Sequence, residues 1–435
     1  MIRQIIKILV PSPIRKYFHR SFYVGLYNLW KIRRKQRTAL LSLRSKDTIR
    51  CCFFALFEEV WKYDGVFQLM QKNSRFEPVI LICPVVNYGF ENMLLRMKQC
   101  ERFFHSKGYD SILSYNPDTK QYVDVMNEIK PDIIFYTNPY KGLIDDRYYI
   151  DNFQEVLTIY VPYSINNSNA FYSNFGMPFY NFLWRYYQPT GMHKNYAKKY
   201  SDNRGVNAVT VGYPGIESLI FNIHTVNKKI WKNDNPKLKK IIWAPHHTIE
   251  PAGSVFYSCF LRYSDFMLDM VQKYQDTIQF AFKPHPLLKN KLELFWGKEK
   301  TDTYYNKWQN MANSCVVEGE YSDLFLSSDA MIHDSGSFIS EYLYVNKPVM
   351  RTLNEVDESE KQNDFSMQCI SNHYLANNEQ DIEQFIENLI NGVDPLKPQR
   401  TKFLNEVLMP TGSPSFNIVE DILFSIDNQI LYRNQ

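Results

Sequence analysis

No Cys-x-x-Cys pair occurs in the sequence, and its seven cysteines (51, 52, 83, 100, 259, 315 and 369) are odd in number and irregularly spaced. That excludes a disulfide framework and a cysteine zinc site, and it places the chain in a reducing compartment. No apolar run approaches the roughly 20 residues needed to span a bilayer. Residues 1–10 (MIRQIIKILV) are too short and too charged for a secretory signal, and no small-residue cleavage site follows them. The expectation is a cytoplasmic protein. Acidic residues are absent from residues 1–46, which hold twelve Lys and Arg, leaving 38 basic against 46 acidic residues in the remainder. The net charge of +4 therefore hides a basic leader on an acidic body. Gly-x-Gly-x-x-Gly, Walker, His-Glu-x-x-His and nucleophile-elbow motifs are all missing. So is any acidic cluster suited to Mg²⁺, any internal repeat and any low-complexity tract.

What is present is enough for two cores: 435 residues with 45% hydrophobic content. In the leader, Ile5, Ile6, Leu9 and then Phe22, Leu26, Leu29 and Trp30 recur at near-helical spacing among the basic residues. Such a segment suits the interface of an anionic membrane, on the inner face of the cell membrane. A basic arm packed on the body, or a tail, are the alternatives. No recognition motif for nucleic acid accompanies the charge.

From residue 49 apolar runs alternate with helical stretches. Strands are expected at Ile49–Phe57, Pro78–Cys83, Asp132–Tyr136, Val156–Val161 and Val206–Val211, and helices at Glu58–Lys72, Glu91–Ser106 and Tyr122–Lys130. Continuous apolar runs of this kind are parallel strands buried on both faces. The polar stretch 221–240, with Pro236, reads as a linker. The alternation restarts with strands at Ile241–Ala244, Thr277–Phe282, Ala330–His333 and Pro348–Arg351, and helices at Ser254–Gln275, Ser337–Tyr344 and Asp381–Asn391. The fold class is α/β: two doubly wound, Rossmann-type domains, 47–220 and 241–415, facing a cleft. The basic segment 1–46 precedes them, and a helix within 416–435 packs back on the first domain.

Ligands of such sheets bind beyond the carboxyl ends of the strands, and the polar motifs stand there. Trp243-Ala-Pro-His246-His247-Thr248 follows a strand that Pro245 stops. Its imidazoles suit a base, a phosphate donor or a metal ligand. Adjacent histidines normally point apart, which argues against a shared metal. Lys283-Pro-His285-Pro ends the next strand, and the two prolines fix the backbone around the ring. A cation and an imidazole donor there match diphosphate oxygens. Ser328-Asp-Ala-Met-Ile-His-Asp334-Ser335-Gly336-Ser337 runs from strand through turn to helix, where N–H groups, hydroxyls and the helix dipole form an anion cradle. Glu341, one turn further, suits ribose hydroxyls. Tyr213 and Pro214, in Val-Gly-Tyr-Pro-Gly, close the first half, as a plain turn or as part of the cleft lining.

Taken in order, these motifs resemble the CDP-glycerol glycerophosphotransferase family, whose enzymes build teichoic acid-like polymers at the cytoplasmic membrane face. Val-Gly-Tyr-Pro at 211–214 is similar to its Gly-x-Pro turn, and Ile-Ile-Trp-Ala-Pro at 241–245 to its strand ending in Ala-Pro. Lys283-Pro-His285-Pro resembles its basic-x-His-Pro motif. The 328–337 run, with Glu341-Tyr-Leu and Asn-Lys347-Pro348, resembles its Ser-Asp…Ser-Ser…Lys-Pro pattern. The resemblance implies a GT-B fold, metal-independent transfer from a CDP-activated donor without a cofactor, and peripheral membrane location. It implies that Lys283, His285, Asp334, Ser335, Gly336, Ser337 and Glu341 bind the donor. The catalytic candidates are His246, His247 and His285.

Two departures are visible. The strand end where the family carries Trp-His-Gly reads Val161-Pro-Tyr163-Ser164, and its Ala-Pro-Thr-Trp-Arg is Ala-Pro-His246-His247-Thr. The expected function is transfer of glycerol phosphate, or a similar polyol phosphate, to a lipid-linked or glycan acceptor in teichoic-acid-like, capsule or lipopolysaccharide assembly. The alternatives are a GT-B glycosyltransferase using a nucleotide sugar, and a non-catalytic membrane-associated scaffold.

Overall fold

The computed structural model describes residues 22–221, 230–233, 235–250, 257–354 and 359–432. The residues form two compact units. The first comprises residues 1–163, 171–214 and 412–435, and the second residues 164–170 and 215–411. Residues 1–21 of the basic leader, and with them Ile5, Ile6 and Leu9, lie outside the described part.

The first unit holds seven parallel strands: β1 (Ile49–Ala55), β2 (Phe76–Ile82), β3 (Ser111–Leu113), β4 (Ile133–Tyr136), β5 (Leu157–Tyr160), β6 (Arg185–Gln188) and β7 (Ala208–Thr210). Their order is 3-2-1-4-5-6-7, doubly wound about β1. Of the apolar runs read as strands, β4 and β5 are buried throughout and β1 at all but Arg50. Phe53 of β1 stands opposite Phe135 of β4 in register, and their rings stack at 4.3 Å. The helix Pro414–Asp427 completes this core with Ile418, Ile422 and Ile426. It is pinned by Asp421, which takes hydrogen bonds from Arg185 Nε at 2.8 Å and Tyr187 Oη at 3.0 Å.

Two expected helices of this unit are shorter than the pattern implied. Over Glu58–Lys72 the chain makes a 3₁₀ turn at Glu58–Val60 and then the helix Asp64–Gln71. Between them Tyr63 leaves the helical path because its hydroxyl donates to Tyr136 O and accepts from Val161 N, tying the ends of β4 and β5 together. Over Tyr122–Lys130 only a single π-turn forms, Val125–Ile129. Lys130, which precedes Pro131, is left-handed at φ 53°. A residue before proline is disfavoured in the α region, which stops the helix.

The second unit holds six parallel strands: β8 (Lys239–Ala244), β9 (Ile278–Phe282), β10 (Ser314–Val316), β11 (Ala330–His333), β12 (Val349–Thr352) and β13 (Tyr374–Ala376). Their order is 10-9-8-11-12-13. Trp243 is the centre of the core, packed on Phe260, Phe282 and Trp308 at 5.2–5.6 Å between ring centroids. Within the stretch 221–240, Lys239 and Lys240 already belong to β8, and Trp231 is buried with its indole N–H on Ser327 Oγ. The helix expected at Ser254–Gln275 runs from Phe260 to Lys273, and residues 251–256 lie outside the described part. Among the described residues, no helix is long and apolar enough to cross a membrane.

Candidate functional site

The carboxyl ends of β8 and β9 continue side by side past the sheet. Lys283 N donates to Trp243 O at 2.8 Å and His285 N to Pro245 O at 3.0 Å, so the Pro-His-His and Pro-His-Pro loops are zipped together by their own backbones. Three imidazoles converge as a result. Ring centroids are 4.2 Å apart for His246 and His247, 4.1 Å for His247 and His285, and 4.9 Å for His246 and His285. The two adjacent histidines therefore do not point apart as extended backbone would have them. The chain turns here, with Ile249 N on His247 O, and both rings fold onto His285.

Burial drives all three imidazoles towards the neutral form, and proximity to another imidazole adds to it for His246 and His285. His246 is pushed down to about 2, by burial and then by His247, His285 and Arg351. His285 is pushed down to about 4, by burial, His247 and Lys283. His247 is lowered by burial and by Lys291. The proton positions differ. Leu287 N–H donates to His285 Nδ1 at 3.1 Å, so neutral His285 carries its proton on Nε2 and offers a donor there. His246 Nδ1 lies 2.9 Å from Thr248 Oγ1, which also accepts Tyr257 N–H at 3.0 Å. His247 Nδ1 is buried with no hydrogen-bond partner among the described residues.

One nitrogen from each ring lies within 4.8 Å of the others, close enough to raise the question of a metal. A ligating histidine normally donates its second N–H to an acceptor. His246 meets that condition through Thr248 in its Nδ1–H tautomer, whereas His285 accepts at Nδ1 and presents N–H at Nε2. The donor set thus suits the oxygens of an anion better than a cation.

Lys283 is buried, and its ammonium donates to Gly319 O at 3.0 Å while lying 5.6 Å from the Tyr321 ring. Burial lowers its pKa, and Glu320 and Glu318 oppose that. Tyr321 Oη donates to Glu341 Oε2 at 2.6 Å, so Lys283 and Glu341 bracket one tyrosine. Neither Gly319 nor Tyr321 was expected from the sequence. Their signal is Val-Glu-Gly-Glu-Tyr directly after the three-residue strand β10, which is too short to recognise by pattern.

At the end of β11 the Asp334 carboxylate accepts from the backbone N–H of His246 and, at 2.6 Å, of Cys259. Burial raises its pKa to about 6 against those two hydrogen bonds and Arg351. Ser335 is buried and its carbonyl faces Arg351 Nη1 at 3.5 Å, while Ser337 is exposed. Gly336 lies under the Tyr257 ring, where a Cβ would come within 3.2 Å of it, and Asn167 Nδ2 donates to Gly336 O. The expected helix Ser337–Tyr344 is one α-helical turn, Phe338–Glu341, followed by 3₁₀ turns at Tyr342–Val345. Tyr342, Leu343 and Tyr344 are all buried, and Asn346 ends the run at φ 52°. Arg351 was also missed. It is a cation inside the strand β12, which Thr352 ends, whereas Lys283 directly follows β9.

Tyr213 and Pro214 belong to the first unit, where Tyr213 is buried and its hydroxyl donates to Tyr163 O at 2.7 Å. Tyr163 itself stands at the end of β5, its hydroxyl 3.3 Å from that of Tyr140. Where the resembled family places a histidine, this chain presents a tyrosine pair.

The fold is shared with solved structures of low sequence identity. The wall teichoic acid polymerase TagF aligns with a TM-score of 0.58 at 13% identity, covering 96% of this chain and 98% of that one. The S. aureus MnaA–UDP co-structure aligns at 0.56 and 14%, covering 89% and 99%. UDP-GlcNAc 2-epimerase from Neisseria meningitidis bound to UDP-GlcNAc aligns at 0.54 and 15%, covering 87% and 100%. These likenesses establish a GT-B-like fold. No curated protein matches the chain in sequence. Residues 191–407, which carry every strand-end motif described for the second unit, match the family model of CDP-Glycerol:Poly(glycerophosphate) glycerophosphotransferase, and the chain belongs to that family.

Proposed function

We propose that this protein transfers glycerol phosphate, or a similar polyol phosphate, from a CDP-activated donor to a hydroxyl of a lipid-linked or glycan acceptor in cell-surface polymer assembly. The observation that carries the reading is the convergence of three neutral imidazoles on two adjacent strand ends inside the family-matched segment. In the proposed step the acceptor oxygen bonds to the β-phosphorus and the bond from that phosphorus to the bridging oxygen breaks. CMP leaves with the electron pair, and the acceptor proton passes to His246 or His247. His285 Nε2–H and the Lys283 ammonium donate to phosphate oxygens. In the free site the imidazoles are too weakly basic for this role. A bound diphosphate reverses the local field and raises their basicity. The reading needs neither a metal nor a cofactor.

The described part of the leader supports a peripheral membrane location. In the helix Phe22–Leu43, Leu29, Ile32, Leu40 and Leu43 are buried, while Trp30, Lys31, Arg34, Arg37 and Leu41 are exposed. An exposed flank of this composition suits an anionic interface.

The test is CMP release from CDP-glycerol compared with nucleotide release from UDP- and CMP-sugars. Release from the sugars alone would replace this reading by a glycosyltransferase. His246→Ala/His247→Ala is expected to lower the rate by about 10²–10⁴, the usual worth of a general base. Near-full activity in that variant would remove both histidines from the chemistry.

A further inference from the structure

We propose that Asp334 is a positioning residue: its carboxylate holds the His246 loop against the start of the helix Phe260–Lys273 and so sets where the imidazoles point, without touching the nucleotide. Register explains how it does this. Ala244 of β8 pairs with His333 of β11, and both strands end there. One residue further the backbone ladder stops, and the Asp334 side chain takes over, with one oxygen accepting His246 N–H and the other Cys259 N–H. Cys259 is the N-cap of a 14-residue helix with no side-chain cap of its own. Asp334 therefore also caps that helix, where a carboxylate is stabilised by the positive end of the dipole.

Three observations oppose contact with a diphosphate. The Asp334 residue is 2% exposed. Each of its carboxylate oxygens already accepts a backbone N–H. A carboxylate beside phosphate oxygens is a like-charge contact, which the neighbouring Lys283 and His285 are not. The imidazole it holds meets both other histidines and, beyond them, Tyr257 at 5.5 Å and Thr248. Asp334 is thus a support for the triad rather than a member of the anion site.

The kinetic part of the test rests on the transferase reading, so a second part needs no activity. Asp334→Asn retains one acceptor and turns an NH₂ towards the other backbone N–H, releasing one of the two straps. Carbethoxylation of histidines in the full chain, followed by mass spectrometry, is expected to modify His246 or His247 at least fivefold faster in D334N, with His285 unchanged. In the transfer assay kcat should fall at least tenfold while KM for CDP-glycerol moves less than threefold. In a double-mutant cycle D334N should cost little once His246 is alanine. Unchanged histidine reactivity together with tenfold weaker CDP binding would overturn the proposal and make Asp334 a ligand. If the protein transfers nothing, the reactivity result still decides. If D334N does not fold, hydrogen exchange on the wild-type chain does. The His246 and Cys259 amides must then be slow without nucleotide, and fast exchange at both overturns the proposal.

Discussion

Gly336 shows how little room the site leaves at a single residue. Its missing side chain lets the Tyr257 ring lie on the Ser-Gly-Ser turn, and the same ring is edge-on to His246 and under Arg351 at 5.4 Å. An added methyl would be transmitted to the imidazoles through that ring. Gly336→Ala is expected to lower stability by about 1 kcal/mol, at the low end for overpacking. Affinity for a CDP-activated donor should fall about tenfold, equivalent to ~1.4 kcal/mol. Calorimetric titration with CDP reads the second effect, and unchanged affinity would mean that the ring yields freely. At this scale the sequence is legible where a cation or an imidazole closes an apolar strand between prolines, as at Lys283 and His285. It is not legible where the partner comes from another loop. Nothing near Tyr257 or Tyr321 in the sequence says that they lie against Gly336 and Lys283, because those contacts exist only after the sheet has formed.

Among the elements, the short helix Ser322–Ser327 depends on a cation outside it. Lys347 Nζ donates to Phe325 O at 3.0 Å and to Leu326 O and Ser328 O at 2.6 Å each. It satisfies carbonyls that a helix end leaves open, where a positive charge is favoured by the dipole. Burial lowers its pKa to about 8. The Asn-Lys-Pro stretch that resembles a family motif therefore holds structure together. Lys347→Met takes the ammonium from all three carbonyls and leaves Phe325 O with the Ser328 hydroxyl; urea unfolding should show a loss of about 1–3 kcal/mol. A loss below half a kcal/mol would mean that water replaces the ammonium at no cost. The long central strands were readable because each is a continuous apolar run, and Ala330–His333 was placed to the residue. Three strands were not: β10 and β13 have three residues each, and β6, flanked by β5 and β7, reads Arg-Tyr-Tyr-Gln. That last sequence is a buried strand only because Arg185 meets Asp421, 236 positions later.

Across the whole molecule, buried imidazoles tie stability to pH. His246, His285 and His373 are held at about 2, 4 and 3, whereas the unfolded chain takes up protons near the ordinary histidine value of ~6.5. Below that value the unfolded state binds more protons, so stability is full at neutral pH and falls as pH drops towards 4. Asp334, raised to about 6, has the opposite sign and offsets only part of the loss. The urea midpoint should therefore fall steadily from pH 7 to pH 4.5, and His373→Gln should flatten the slope. A midpoint that rises on acidification would contradict the burial of these rings.

The helix Pro414–Asp427 also fixes a timetable. Its residues enter the core of the first unit, yet the ribosome makes them only after the whole of the second unit. Until then β6 exposes Arg185 without its carboxylate, and the first core lacks Ile418, Ile422 and Ile426. Domains otherwise tend to fold in order of synthesis; here the unit begun first must be finished last. A chain stopped at residue 411 should bind cytidine nucleotides through a folded second unit while limited proteolysis digests residues 47–163 and 171–214. Protection of both regions would show that the closing helix is dispensable. For a nascent chain the expectation is that the sheet β1–β7 stays open to proteases until residues 414–427 have been made.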